Sequence, residues 1–133
     1  MKTIRRDDIQ VDDVLKLYDD TTSIQMKTVI EDIEKLTHES PSVWGDDIIG
    51  FGNMTYSNTY LKNQPFFNIG IKKTKAGYSL YLNAYNKSLY QLADTLNIKH
   101  GMGCYYLKQQ DIQSKAYQEL ILLSIKHKDT KDQ

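Results

Sequence analysis

An α+β fold is what this sequence predicts, on three observations. Helical spacing dominates residues 11–36, extended runs follow Pro41, and helical and extended segments mix again after residue 88. Helices grouped ahead of a meander, without regular strand–helix alternation, indicate an antiparallel sheet flanked by helices and not a doubly wound parallel one. Four extended runs are visible, so a sheet of about four strands is expected.

The elements follow in order. VDDVLKLYDD sets Val11, Val14, Leu15 and Tyr18 at i, i+3, i+4 and i+7, a short amphipathic helix with its aspartates outward. Ser23 is the expected cap of a second helix, whose apolar face is Met26, Val29, Ile30, Ile33 and Leu36. That helix must end by Ser40, because Pro41 disfavours helical geometry in the residue before it. IIGFGNMTY, FFNIGIKK and GYSLYLNAY then read as a meander. In the third run Tyr78, Leu80, Leu82 and Ala84 alternate with Ser79, Tyr81, Asn83 and Tyr85, which predicts one core face and one polar-aromatic face.

Ser88 caps a third helix with Leu89, Leu92, Ala93 and Leu96 inward, and CYYLK supplies a short fourth strand. A last helix beginning at Asp111 or Ser114 carries Tyr117, Leu120, Ile121 and Ser124 or Ile125 on its buried side. No repeat, linker or composition break divides the chain. The expectation is one domain over 1–133, with a core of about 10–126 and flexible ends at 1–8 and 127–133.

Composition narrows the function. With 133 residues the chain has enough length to bury a core without disulfides or metal. A single cysteine, the absence of a signal-peptide pattern and the lack of any apolar stretch near the ~20 residues of a membrane span point to a cytoplasmic protein without membrane attachment. Seventeen acidic and seventeen basic residues leave no basic excess for a nucleic-acid partner. Ten tyrosines, most of them between Tyr56 and Tyr117, are suited to half-buried strands and to contact surfaces. Exposed strand edges are compatible with either a monomer or a homodimer.

The stretch IKHGMGCYYLK at 98–108 concentrates reactive side chains. His100 and Cys104 have the residue types of a thiol enzyme or redox sensor, in which a base holds the thiolate. A glycine turn separates them and no catalytic signature surrounds them, so the stronger reading makes Cys104 a buried packing residue and His100 a turn residue. Zinc is poorly supported, since His38, His100 and His127 are scattered and paired ligand spacing is missing. The two G-x-G triplets, GFG and GMG, lack the strand–turn–helix setting of a dinucleotide loop. Asp8 and Asp12, or Asp12 and Asp19, can share a helix face, and Asp46 and Asp47 neighbour Trp44, but charge opposite an apolar stripe is ordinary for a surface helix.

SVWGDDIIGFGNMTY resembles the W-G-x-x-I-x-G-F-G segment of the YdhG-like family, a family of small bacterial proteins of unknown function. Downstream, Lys99, His100, Gly103, Cys104, Tyr106 and Lys108 match that family's pattern K-H-K-T-G-K-x-C-x-Y-x-K in order. The likeness runs over roughly 10–125. Two departures stand out. The loop before Cys104 is about two residues shorter, with Gly101-Met102 where Lys-Thr is usual, and the family's Pro-Arg-Lys becomes Lys72-Lys73-Thr74-Lys75.

The resemblance implies a curved antiparallel sheet flanked by helices and brings no agreed enzymatic activity. The leading expectation is therefore a non-enzymatic binding or chaperone-type domain for an unidentified small molecule or protein. Its candidate contact residues are Trp44, Tyr56, Tyr81, His100, Cys104 and Tyr106. One branch of the family is described as frataxin-like iron chaperones, which makes iron delivery through Asp12, Asp13, Asp46 and Asp47 the alternative. A thiol enzyme using Cys104 and His100 is the second alternative.

Overall fold

The computed structural model describes residues 4–56, 64–82 and 87–126. Pairing along the chain yields a sheet of seven strands, all antiparallel, where about four were expected. Its order is β1 (Arg5–Arg6), β2 (Pro41–Trp44), β3 (Ile48–Phe51), β6 (Ile69–Lys73), β7 (Tyr78–Leu82), β9 (Cys104–Leu107) and β8 (Lys99–His100). A separate pair, β4 (Met54–Tyr56) and β5 (Gln64–Phe66), makes a second small sheet. The excess over expectation comes from strands too short to show periodicity. β1 and β8 have two residues each, and β2 opens on a proline.

Two predicted runs also break where the chain turns a corner. Gly52 adopts φ +78°, a left-handed conformation that glycine takes without strain. A β-carbon there would meet Asn68 Nδ2 at 2.5 Å, and the Asn68 amide donates to the Phe51 carbonyl at 3.0 Å. So IIGFGNMTY divides into β3 and β4, and FFNIGIKK into β5 and β6, at the same corner. The β4–β5 pair is thereby detached from the main sheet.

Helix α1 (Val11–Leu15) precedes α2 (Asp20–Thr37). Asp19, not Ser23, is the cap of α2: its carboxylate accepts the Thr22 amide at 2.8 Å, and that bond holds the carboxyl below its usual pKa. The helix ends at His38, φ 59°, three residues before Pro41. After α3 (Lys87–Thr95), the expected single last helix is two, α4 (Gln109–Gln113) and α5 (Tyr117–Lys126), parted at Lys115 with φ 61°.

All five helices contribute to one core against one face of the sheet. Met26, Val29, Ile30 and Ile33 of α2 and Tyr117, Leu120 and Ile121 of α5 meet Val43, Ile49, Ile71, Leu80 and Tyr105 in a single buried cluster. The helices are tied across it by Tyr117, whose hydroxyl donates to Asp32 Oδ2 at 2.8 Å, with the Lys115 ammonium 3.3 Å from the same oxygen. Val43, Ile49, Ile71, Leu80 and Tyr105 are successive cross-strand partners, so the inner face is one continuous apolar row. Among the described residues no helix is long and apolar enough to cross a membrane. Both edges of the sheet are two-residue basic strands, a form that discourages pairing with a further strand.

Candidate functional site

Strand alternation sends Ser42, Trp44, Gly50, Gly70, Ser79, Tyr81, Cys104, Tyr106 and Lys99 to the face opposite the helices. This outer face has two halves of different character.

Over β2, β3 and β6 it is sealed by aromatic rings. Gly50 and Gly70 leave the strands bare. A β-carbon at Gly50 would lie 2.6 Å from Trp44 Cδ1, and one at Gly70 2.6 Å from Phe67 Cε1. Into that space the detached pair brings Phe66 and the residue after it, Phe67. Trp44 meets both edge-on, at 5.9 and 5.6 Å between ring centroids. Its indole N–H donates to Ser42 Oγ at 2.9 Å, and the side chain is 1% exposed. Trp44 is therefore a packing residue beneath the surface and is withdrawn from the set of contact residues.

Over β7, β9 and β8 the same face is open among the described residues. One cross-strand row runs Lys72, Ser79, Tyr106, Lys99, and the next runs Gly70, Tyr81, Cys104. Tyr106 is 49% exposed, while Tyr81 and Cys104 are partly exposed and Ser79 is buried at the floor. Cys104 was expected to be buried; it sits instead at the rim of this surface because the strand's core positions are Tyr105 and Leu107. Electrostatic interaction with neighbouring Cys104, and a hydrogen bond to it, raise the Tyr106 phenol above its usual pKa. For Tyr81, burial is the largest upward influence and Cys104 the next, against a hydrogen bond with Ser79 that lowers it. Tyr81 also lies 6.1 Å from Phe67, so it joins the open half to the sealed one.

Beside Tyr106 the sheet end forms a hollow of about 350 Å³, lined among others by Ala76, Tyr78, Leu107, Lys99 and Lys108. Lys72 approaches Asp47 at 3.8 Å, whereas neither Lys99 nor Lys108 forms an ion pair among the described residues.

His100 does not join Cys104. It pairs with Tyr105 in register, which sends it to the inner face, while Cys104 points outward. Its ring stacks on Tyr90 at 4.9 Å and 3°, and its Nε2 lies 3.1 Å from Asp94 Oδ1. The histidine clamps α3 to the edge strand. Tyr56 ends β4, and its side chain lies outside the described residues.

The four aspartates are dispersed over local roles. Asp13 accepts the Gln10 amide at 2.9 Å in a helix cap, Asp46 lies 3.4 Å from Arg6 Nη1, Asp47 faces Lys72, and Asp12 is exposed in the first turn of α1. Among the described residues no group of three His, Cys, Asp or Glu side chains is arranged to hold a metal ion.

Sequence reading missed Lys99, Lys108, Lys72 and Ser79 as members of this surface. The alternation in GYSLYL already put Ser79 and Tyr81 on one face, but which strands flank them is not written locally. No protein-family model, curated protein or solved structure matches the chain.

Proposed function

We propose that this chain is a non-enzymatic binding or chaperone-type domain of the YdhG-like kind, and that its contact surface is the open half of the outer face. The observation that carries this reading is the grouping of Tyr81, Cys104 and Tyr106 on adjacent strands, with Tyr106 49% exposed, on the face opposite the core. Tyrosine combines a rigid ring with a polar tip and loses little conformational freedom on binding, which is why such residues serve at contact surfaces. The family resemblance supports the same surface, since Lys99, Cys104, Tyr106 and Lys108 are among its matched residues. Binding is favoured over thiol chemistry because the imidazole that would serve as base is on the other face of the sheet.

The test is an amide NMR titration with a set of neutral, cationic and anionic single-ring compounds. At least one class is expected to shift Ser79, Tyr81, Cys104 and Tyr106, and Tyr106→Ala to abolish those shifts. If no compound moves these four resonances, the reading is overturned.

A further inference from the structure

We infer that the ligand of this surface is a small organic anion with a flat apolar body, its ring in the hollow beside Tyr106 and its negative group between Lys99 and Lys108. This rests on the binding reading above and names the chemical class it would serve. Three features of the hollow carry it.

The first is its lining. Exposed Ala76 and the half-exposed Tyr106 ring supply apolar surface, with the buried Tyr78 and Leu107, each 2% exposed, beneath them. A volume of about 350 Å³ lies at the lower end of the range for small-molecule pockets, ~300–1,000 Å³, and admits a one- or two-ring molecule.

The second is charge. Lys99 and Lys108 both line the hollow and neither is neutralised by an acidic partner among the described residues. Lys72 stands three strands from Lys99 in the same cross-strand row, and Asp47 already faces it. The acidic group on the neighbouring helix, Asp111, is 5% exposed and its Oδ2 is engaged by the Lys108 amide at 2.8 Å, so it leaves the two ammonium groups to solvent. Two like charges facing one hollow repel each other, and an anion between them relieves that repulsion.

The third is the position of Tyr106. It lies beside Lys99 in register and lines the hollow while sharing the outer face with Tyr81 and Cys104. Its hydroxyl is turned toward Cys104 and Gly101, so the ring, not the hydroxyl, is what Tyr106 offers to a flat ligand.

The experiment follows Ser79, Tyr106, Leu107 and Lys108 amides by NMR with three probes: benzoate, its neutral analogue benzyl alcohol, and inorganic phosphate. Benzoate is expected to shift these amides more strongly than either other probe at equal concentration. In the Lys99→Gln/Lys108→Gln variant, benzoate affinity is expected to fall roughly fivefold, in line with two partly exposed charge contacts. Benzyl alcohol shifting the same amides as strongly as benzoate overturns the anion inference while leaving the binding reading intact. Phosphate matching benzoate overturns the requirement for an apolar body. Benzoate leaving all four amides unmoved overturns the inference, and the neutral and cationic compounds of the wider titration decide separately whether the surface binds at all.

Discussion

The two halves of the outer sheet face are built on the same strands-and-alternation plan, yet one is closed and the other open. Over β2, β3 and β6, glycines remove side chains from the strands and large rings fill the space, so Trp44 and Phe67 are each 1% exposed. Over β7 and β9 the equivalent positions carry Ser79, Tyr81, Cys104 and Tyr106, and among the described residues nothing packs across them to the same depth. A sheet face can thus serve as a second core or as a contact surface, depending on whether its own side chains leave room for a cover.

The largest test of that contrast is truncation on each side. Trp44→Ala is expected to cost about 3–5 kcal/mol, as for other buried aromatic deletions, measured by urea denaturation. Tyr106→Ala should change stability by no more than about 0.5 kcal/mol. Equal losses from the two would dissolve the distinction.

Next comes the glycine that makes room for the cover. Gly50→Ala puts a β-carbon 2.6 Å from Trp44 and 2.8 Å from Phe67 Cβ, so the hairpin must shift. The expected loss is roughly 1–3 kcal/mol, with a red shift of Trp44 fluorescence as water reaches the indole.

A third contrast is legible against pH. Burial raises the phenol pKa of Tyr78, Tyr81, Tyr105 and Tyr117, and for Tyr117 the hydrogen bond to Asp32 adds to it. An unfolded tyrosine ionises near pH 10. These groups therefore contribute stability that is complete below about pH 10 and declines as pH rises through and beyond it, because only the unfolded chain then loses protons readily. Melting temperatures across pH 8–11.5 should fall at the alkaline end, and Tyr117→Phe should flatten that fall.

The smallest expected effect is on the thiol. Cys104 is partly exposed on the outer face, so iodoacetamide should label it without unfolding. His100→Phe keeps a ring against Tyr90 and should leave the labelling rate unchanged, since His100 sits on the opposite face. A marked slowing would instead tie the histidine to the thiol.

Much of this was legible in sequence where local physics decides. The 3.6-residue spacing of Met26, Val29, Ile30 and Ile33 located α2 and its buried stripe, and alternation in GYSLYL separated Leu80 from Tyr81. The start of α2 was misread because Asp19 and Ser23 are both good caps, and only the chain path before the helix chooses between them. The strand count fell short because two-residue strands carry no period and exist only through their neighbours.

For the site, the tyrosines, His100 and Cys104 were visible as candidates, but sequence proximity joined two residues that the sheet divides. His100 and Cys104 lie across one turn, and opposite pleats send one inward and one outward. By itself the sequence determined the α+β class, the main apolar stripes and the polar-aromatic character of one strand face, because these follow from spacing within a single element. Only the tertiary structure decided that Trp44 is sealed, that Lys99 and Ser79 flank Tyr106, and that a hollow opens beside them. Those depend on which strands become neighbours, and that choice is made by burial of the whole chain at once.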